Sequence, residues 1–383
     1  MKENNHYAVN WTDGVKLTKD HFIASYFNSV ETVRASMHTQ IHKYDYGLLQ
    51  PINDSQAALA IETQTHTEER LVLALRTCNA LTAGGCKIEF SAGMYGNEVP
   101  TATLESKDID TNSNLEFYVL VTINPFELVP VGEPDPEAIP LHHPNVLPKI
   151  SLQIVSKSQF NSSFLDRYFL MAGKVYWRNG SFVIDTAYTP PVSRIMYHKP
   201  LHEFHKNIAQ VLLRLRNYSV IINKKNRDKL QSNTLVRNTF LLSDKVMDFV
   251  SQHTFEFTQI GEEQPPIFIA QKVSILANYL STALAIMEDN EKEKLLQYYY
   301  EWIDVKPSVF ETTLGNIIDM AYDHQDINAS LDKIDFFIAV MDKLWKRLSD
   351  LEYIGQRKDN IVISEESQSI KSTTKRKSWS IID

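Results

Sequence analysis

The sequence predicts an α+β chain, a β-rich half followed by a helical half, and three observations support this. Nine of the 12 glycines and 11 of the 15 prolines fall within residues 1–195; both residues punctuate short strands and are kept out of helix interiors. Before residue 190 the apolar residues come in short runs bounded by turn formers. After it, two apolar series step by four and three residues, the spacing of helices that pack along one another. With 383 residues, 43% of them hydrophobic, the chain can bury a sizeable core and is long enough for two or three domains.

The elements follow in order. Residues 19–43 read as a helix: Thr18 can cap it, Asp20 suits its first turn, and no Gly or Pro interrupts it. Residues 71–75, 115–121 and 150–155 are apolar or alternating and read as strands. Residues 174–184 form a hairpin around Asn179-Gly180, because this pair accepts the positive φ that a tight turn needs. The stretch from Pro125 to Pro148 holds seven prolines in 24 residues and is expected to be an extended surface connection without ladder bonds. Helices are expected near 203–216 and 233–252, with Pro265-Pro266 opening a new segment. Ile269, Val273, Leu276, Leu280, Ala283 and Met287 form one seam. Ile327, Leu331, Ile334, Ile338, Met341, Trp345 and Leu348 form a second, so a long bundle is expected.

Several function classes are disfavoured. A net charge of −8 argues against nucleic acid as a partner. Cys78 and Cys86 are too few for a disulfide framework or a thiolate zinc site. The N-terminus has no apolar leader, and no stretch approaches 18 uncharged apolar residues. The expectation is a soluble intracellular protein with no direct membrane span.

Candidate chemistry is sparse. His198, His202 and His205 have helical spacing, as do His38 and His42, but neither group sits in a metal-binding frame. His142-His143 lies in the Pro-rich stretch. No nucleophile elbow, phosphate loop or dinucleotide fingerprint occurs. A protein that is not an enzyme, with no catalytic residue, cofactor or metal, is expected.

Three short segments carry more information. Trp11, Gly14, Leu17, His21 and Phe22 match the pattern W-x-x-G-M-x-L-x-P-Q-H-F. Tyr188, Pro190 and Pro191 match a Y-I-P-P junction, with Thr189 at its second position, and Tyr322, Asp323, His324 and Asp326 match Y-D-H-D-D-L. Together, over residues 7–355, these resemble the TssK family, baseplate subunits of type VI secretion. Val15 in place of Met, and Thr18-Lys19-Asp20 in place of a Pro-containing triplet, mark divergence.

The resemblance implies an elongated homotrimer. It has a β-sandwich-like shoulder domain (1–190) and an antiparallel helical-bundle neck (191–355), which residues 356–383 follow as a disordered polar and basic tail. The family's C-terminal head domain is expected to be missing. The implied function is structural: a trimer linking wedge proteins similar to TssF and TssG to the cell-envelope anchor, cytoplasmic and docked at the inner membrane. The alternative is a trimeric phage or tail-like receptor-binding protein recognising cell-surface carbohydrate, and the least favoured is a sugar- or ester-processing enzyme.

Particular residues carry further expectations. Asp13-Gly14 should turn the chain, and Trp11 and Phe22 should staple the first helix to the sheet as core. Pro190-Pro191 should hold the backbone extended, and Asp323 and Asp326 should favour the start of the last helix. Subunit contacts are expected on the outward sides of the helices carrying Leu280 and Ile338. Envelope contact would come through an adaptor at the bundle end, around 303–307 with Tyr353 and Ile354. Otherwise it would come through Lys375, Arg376, Lys377 and Trp379 on the anionic leaflet.

Overall fold

A computed structural model describes residues 6–53, 56–96, 98–110, 113–140, 142–160 and 168–357. The tail positions Lys375, Arg376, Lys377 and Trp379 lie outside the described residues. The chain divides into two compact units, the first running to Ser193 and the second starting at Arg194.

The first unit opens with α1 (Lys19–His38). It ends earlier than the expected residue 43 because the chain turns: the Gln40 amide bonds back to Met37 O, and the His42 amide donates to Asp45 Oδ1 at 2.6 Å. Two antiparallel sheets follow. In one, β3 (Arg70–Leu81) is the hub, pairing with β1 (Gly47–Leu48), β2 (Leu59–His66), β4 (Lys87–Ser91) and β5 (Thr101–Glu105). The other runs in the order β7-β6-β8-β9, with β6 Leu115–Val131, β7 Asn145–Ser156, β8 Phe169–Arg178 and β9 Ser181–Ile184.

Leu71, Leu75, Ile88 and Phe90 of the first sheet and Leu120, Val121, Leu170 and Val175 of the second are fully buried. The sheets face one another across a cavity of about 60 Å³ lined by Leu59, Ile61, Leu73, Val119, Ala172 and Tyr188. His66 Nε2 lies 2.8 Å from Phe182 O, joining the sheets at one edge. The β8–β9 hairpin turns at Asn179 and Gly180 with φ of 53° and 79°, as the sequence predicts.

The Pro-rich stretch is not the unpaired connection expected of it. Leu128 to Val131 of β6 pair with Pro148 to Asn145 of β7. Pro125 sits in the irregularity between Asn124 and Leu128, and Pro148 lies on β7, the edge of its sheet. Bulges and edges are the two places where a strand tolerates a missing N–H, and of the described residues in the stretch those at 125–127, 132–140 and 142–144 have no partner in the ladder.

The second unit is helical: α2 (Lys199–Asn226), α3 (Thr234–Gln259), α4 (Ile267–Ala285), α5 (Asp289–Ile303), α6 (Pro307–Ile318) and α7 (Ile327–Asp350). Pro200 and Pro307 open their helices at positions where the amide would go unpaired anyway. Every residue of the Ile327–Leu348 seam is buried. Trp345, fully enclosed, donates from Nε1 to Ser219 Oγ of α2 at 2.8 Å.

By length and composition α4 could cross a membrane. Its Lys272 is buried and paired with Glu256 of α3, and Ile269, Val273, Leu276 and Leu280 point into the bundle. Leu280 and Ile338 are themselves core. The outward sides of their helices carry Gln271, Asn278, Asp332, Lys333 and Lys346, together with the exposed apolar residues Ala285 and Phe336.

Candidate interaction site

The N-terminal signature builds a small capped structure. The Val15 amide bonds to Thr12 O at 3.3 Å, and Gly14 supplies a φ of +81° at the turn that Asp13-Gly14 predicts. His21 occupies the third position of α1, and its Nδ1 accepts the Thr18 N–H at 3.2 Å. A side chain there usually closes a capping box as Glu or Gln; imidazole does the same work here. Trp11 lies beside that imidazole, ring centroids 5.7 Å apart.

Trp11, Leu17 and Phe22 are not core: they are 52%, 61% and 61% exposed. The reason is that α1 is fixed by its opposite side. Phe27 packs edge-on against Phe126, which also stacks on His6 at 3.8 Å. Arg34, the buried residue of the helix, pairs with Glu31 and donates to Gly84 O at 3.0 Å. His38 Nδ1 lies 3.2 Å from Ala83 O. Gly85 lets this approach happen, since a Cβ there would sit 2.7 Å from Arg34 O. Trp11 and Phe22 are left facing solvent, and Tyr26, Val33 and Met37 are exposed with them. The sequence reading missed these three. Their signal was present in the spacing, but serines interrupt the apolar series.

The Tyr188-Pro190-Pro191 segment closes the first unit. Tyr188 is buried under Lys174, whose Nζ lies 5.4 Å from the ring centroid. The Leu48 amide donates to Pro191 O at 2.8 Å, and the Ser193 amide donates to Leu48 O. Gly47 permits this, because a Cβ there would lie 2.2 Å from the Pro191 carbonyl. The chain after the two prolines goes on to an isolated parallel bridge between Val192 and Leu48.

The third signature is also architectural. Asp323 Oδ1 accepts the Gln325 amide at 2.9 Å in a local turn, and Asp326 is the N-cap residue of α7. His324 is buried, and the Tyr322 hydroxyl lies 2.8 Å from its Nδ1.

The remaining histidines separate into different surroundings. His198 is the N-cap of α2, and His202 pairs with Glu262 at 2.8 Å. His205 is buried and stacked on Phe257 with centroids 4.5 Å apart. Burial pushes its pKa down to about 4, so it is neutral near pH 7. Burial also raises both thiols, Cys86 to about 11, which leaves them protonated and unreactive. Among the described residues no group of three or more His, Cys, Asp or Glu is placed to hold a metal ion.

No family model and no curated protein matches the chain. Solved structures do. A crystal structure of TssK is similar over 89% of this chain and 70% of its own, at 14% identity and a TM-score of 0.52. A chain of the baseplate complex from the type VI secretion system is similar over 88% of this chain and 99% of its own, at 12% identity and a TM-score of 0.51. The order of the two units, the antiparallel sheets and the helices after them are thus those of a known architecture, and the chain has a TssK-like fold.

Proposed function

We propose that this chain is a non-enzymatic structural subunit of a contractile type VI secretion baseplate. In this reading it is a homotrimer that links TssF- and TssG-like wedge proteins to an anchor or adaptor of the cell envelope. It works in the cytoplasm against the inner membrane. The observation that carries the reading is the TssK-like fold over nearly nine-tenths of the chain.

Two features support it. All three signatures serve turns, caps and close backbone contacts, which is what a building block requires of them. Exposed apolar residues recur along α1 at Phe22, Tyr26, Val33 and Met37, whereas the cavity between the sheets is small and has Lys174, Asp185 and Thr186 beside its apolar lining. The receptor-binding alternative calls for an exposed aromatic pocket, which the buried Tyr188 at that cavity does not provide.

In this reading wedge contact lies in residues 1–190, around the first turn and helix, with Trp11, Leu17 and Phe22, all exposed, as its anchors. Affinity capture of the full chain from its native cells should recover wedge proteins similar to TssF and TssG. Trp11→Ala should weaken that binding by about 2 kcal/mol, in the range of an interface hot spot. Capture without wedge proteins from cells that express them would reject the reading.

A further inference from the structure

Beyond the end of α7 the chain runs on as a short strap that other helices fasten. Lys225, near the end of α2, donates from Nζ to Ser349 O at 2.7 Å and to Leu351 O at 3.1 Å, taking up carbonyls that a helix end leaves open. The Ile354 amide donates to Asn226 Oδ1 at 2.7 Å, and the Gly355 amide donates to the Tyr298 hydroxyl of α5 at 3.1 Å. The Lys229 ammonium lies 3.6 Å from the centre of the Tyr353 ring. Ile303, Val305 and Ile354, bundle-end positions expected to meet an adaptor, are buried.

We propose that residues 351–355 form a lock that sets the direction in which the chain leaves the bundle. Whatever the residues beyond Arg357 hold is then carried at a fixed angle to the helices rather than on a swivel. The inference goes beyond the proposed function and stands without it.

Two observations select a lock over a plain continuation of α7. A chain leaving the end of a helix ordinarily frays, because little covers it and its polar groups turn to water. Here the bonds come from α2 and α5, so the strap is held by helices other than the one it continues. Asn226 is oriented for this: its Nδ2 donates to Ile222 O at 2.7 Å, which leaves Oδ1 to accept the Ile354 amide. Releasing the strap would expose the fully buried Ile354 side chain and strip Asn226 of that partner. The second observation is the backbone. Gly355 has a φ of +100°, and a Cβ there would lie 3.3 Å from Asn233 Nδ2. The Glu352 amide donates to Gln356 Oε1 at 3.2 Å and closes the strap on itself.

Pulsed electron paramagnetic resonance on the full-length chain tests the lock, with nitroxides on Gln210→Cys of α2 and Arg357→Cys, both exposed. Cys78 and Cys86 are buried and take up little label. With the native strap the distance distribution should be single and narrow. Asn226→Ala combined with Tyr298→Phe should widen it by about twofold or more. Gly355→Ala, which alters no helix, should widen it as well. A second label pair, Gln210→Cys and Lys346→Cys, spans α2 and α7 and should keep its width in every variant. A broad distribution with the native strap would overturn the proposal, and so would an unchanged width in the variants. Equal widening of the α2–α7 pair would also overturn it, because the strap would then be part of the helix packing and not a separate lock.

Discussion

Two helices of this chain carry seams of the same 3.5-residue period and treat them in opposite ways. On α7 the seam from Ile327 to Leu348 is buried throughout, closed against neighbouring helices of its own unit. On α1 the seam from Phe22 to Ser36 is exposed, and the helix is held by Phe27, Arg34 and His38 on its other side. Periodicity alone thus identifies a face suited to packing, without saying whether the chain itself covers it. Composition makes the distinction: large aliphatic and aromatic residues fill the intramolecular seam, while the exposed one alternates aromatic or branched residues with serine.

The contrast predicts different costs for truncation. Trp345→Ala removes a fully enclosed indole and its bond to Ser219. It should lower the stability of the helical unit by roughly 3–5 kcal/mol in denaturant titrations. Phe22→Ala, measured in the same way on a dissociated chain, should cost less than about 0.5 kcal/mol. Equal losses would erase the distinction between the seams.

The helical unit should also be sensitive to acid. His205 is held at a pKa of about 4 by burial, with His202, Lys206 and Glu262 as the nearby charged or titratable groups. Unfolded histidine titrates near pH 6.5. Below that pH the unfolded chain takes up a proton that the folded chain refuses. Stability is therefore complete above pH 6.5 and declines as pH falls toward 4, by up to about 3 kcal/mol. Denaturant titrations across this range should show the decline, and His205→Phe, which can keep the stacking on Phe257, should flatten it.

Much of the fold was legible because it rests on local chemistry. The glycine and proline distribution separated the strands from the helices, and Asn179-Gly180 marked its hairpin. The Pro-rich stretch misled because a proline's meaning in a sheet depends on which side of the strand has a neighbour. Pro148 on an edge strand and Pro125 at a bulge sacrifice no ladder bond. Of the candidate site, Trp11, Leu17 and Phe22 were visible as a signature, but not their exposure. Large apolar residues beside a helix start are ordinarily core; here Arg34, buried against Gly84, takes the place of an apolar anchor. Tyr26, Val33 and Met37 went unread because Ser29 and Ser36 occupy the positions between them.

Smaller effects sharpen the comparison further. Gly85→Ala brings a Cβ to 2.7 Å from Arg34 O and places it at a φ of +88°. It should loosen α1 by about 2 kcal/mol, accelerating exchange of the α1 amides about 30-fold while leaving α7 unchanged. Uniform acceleration in both helices would contradict the independent anchoring of α1. The smallest change expected in the folded protein is from removal of residues 357–383, which carry Lys375, Arg376, Lys377 and Trp379. It should leave oligomer and wedge binding intact and impair envelope attachment alone, as read from flotation with anionic vesicles.

The proposed function makes this chain a homo-oligomeric building block. Light scattering of the purified full-length protein at micromolar concentration tests it most directly. The predicted result is a native mass three times the 44.0 kDa of one chain; a stable particle of one chain would contradict it.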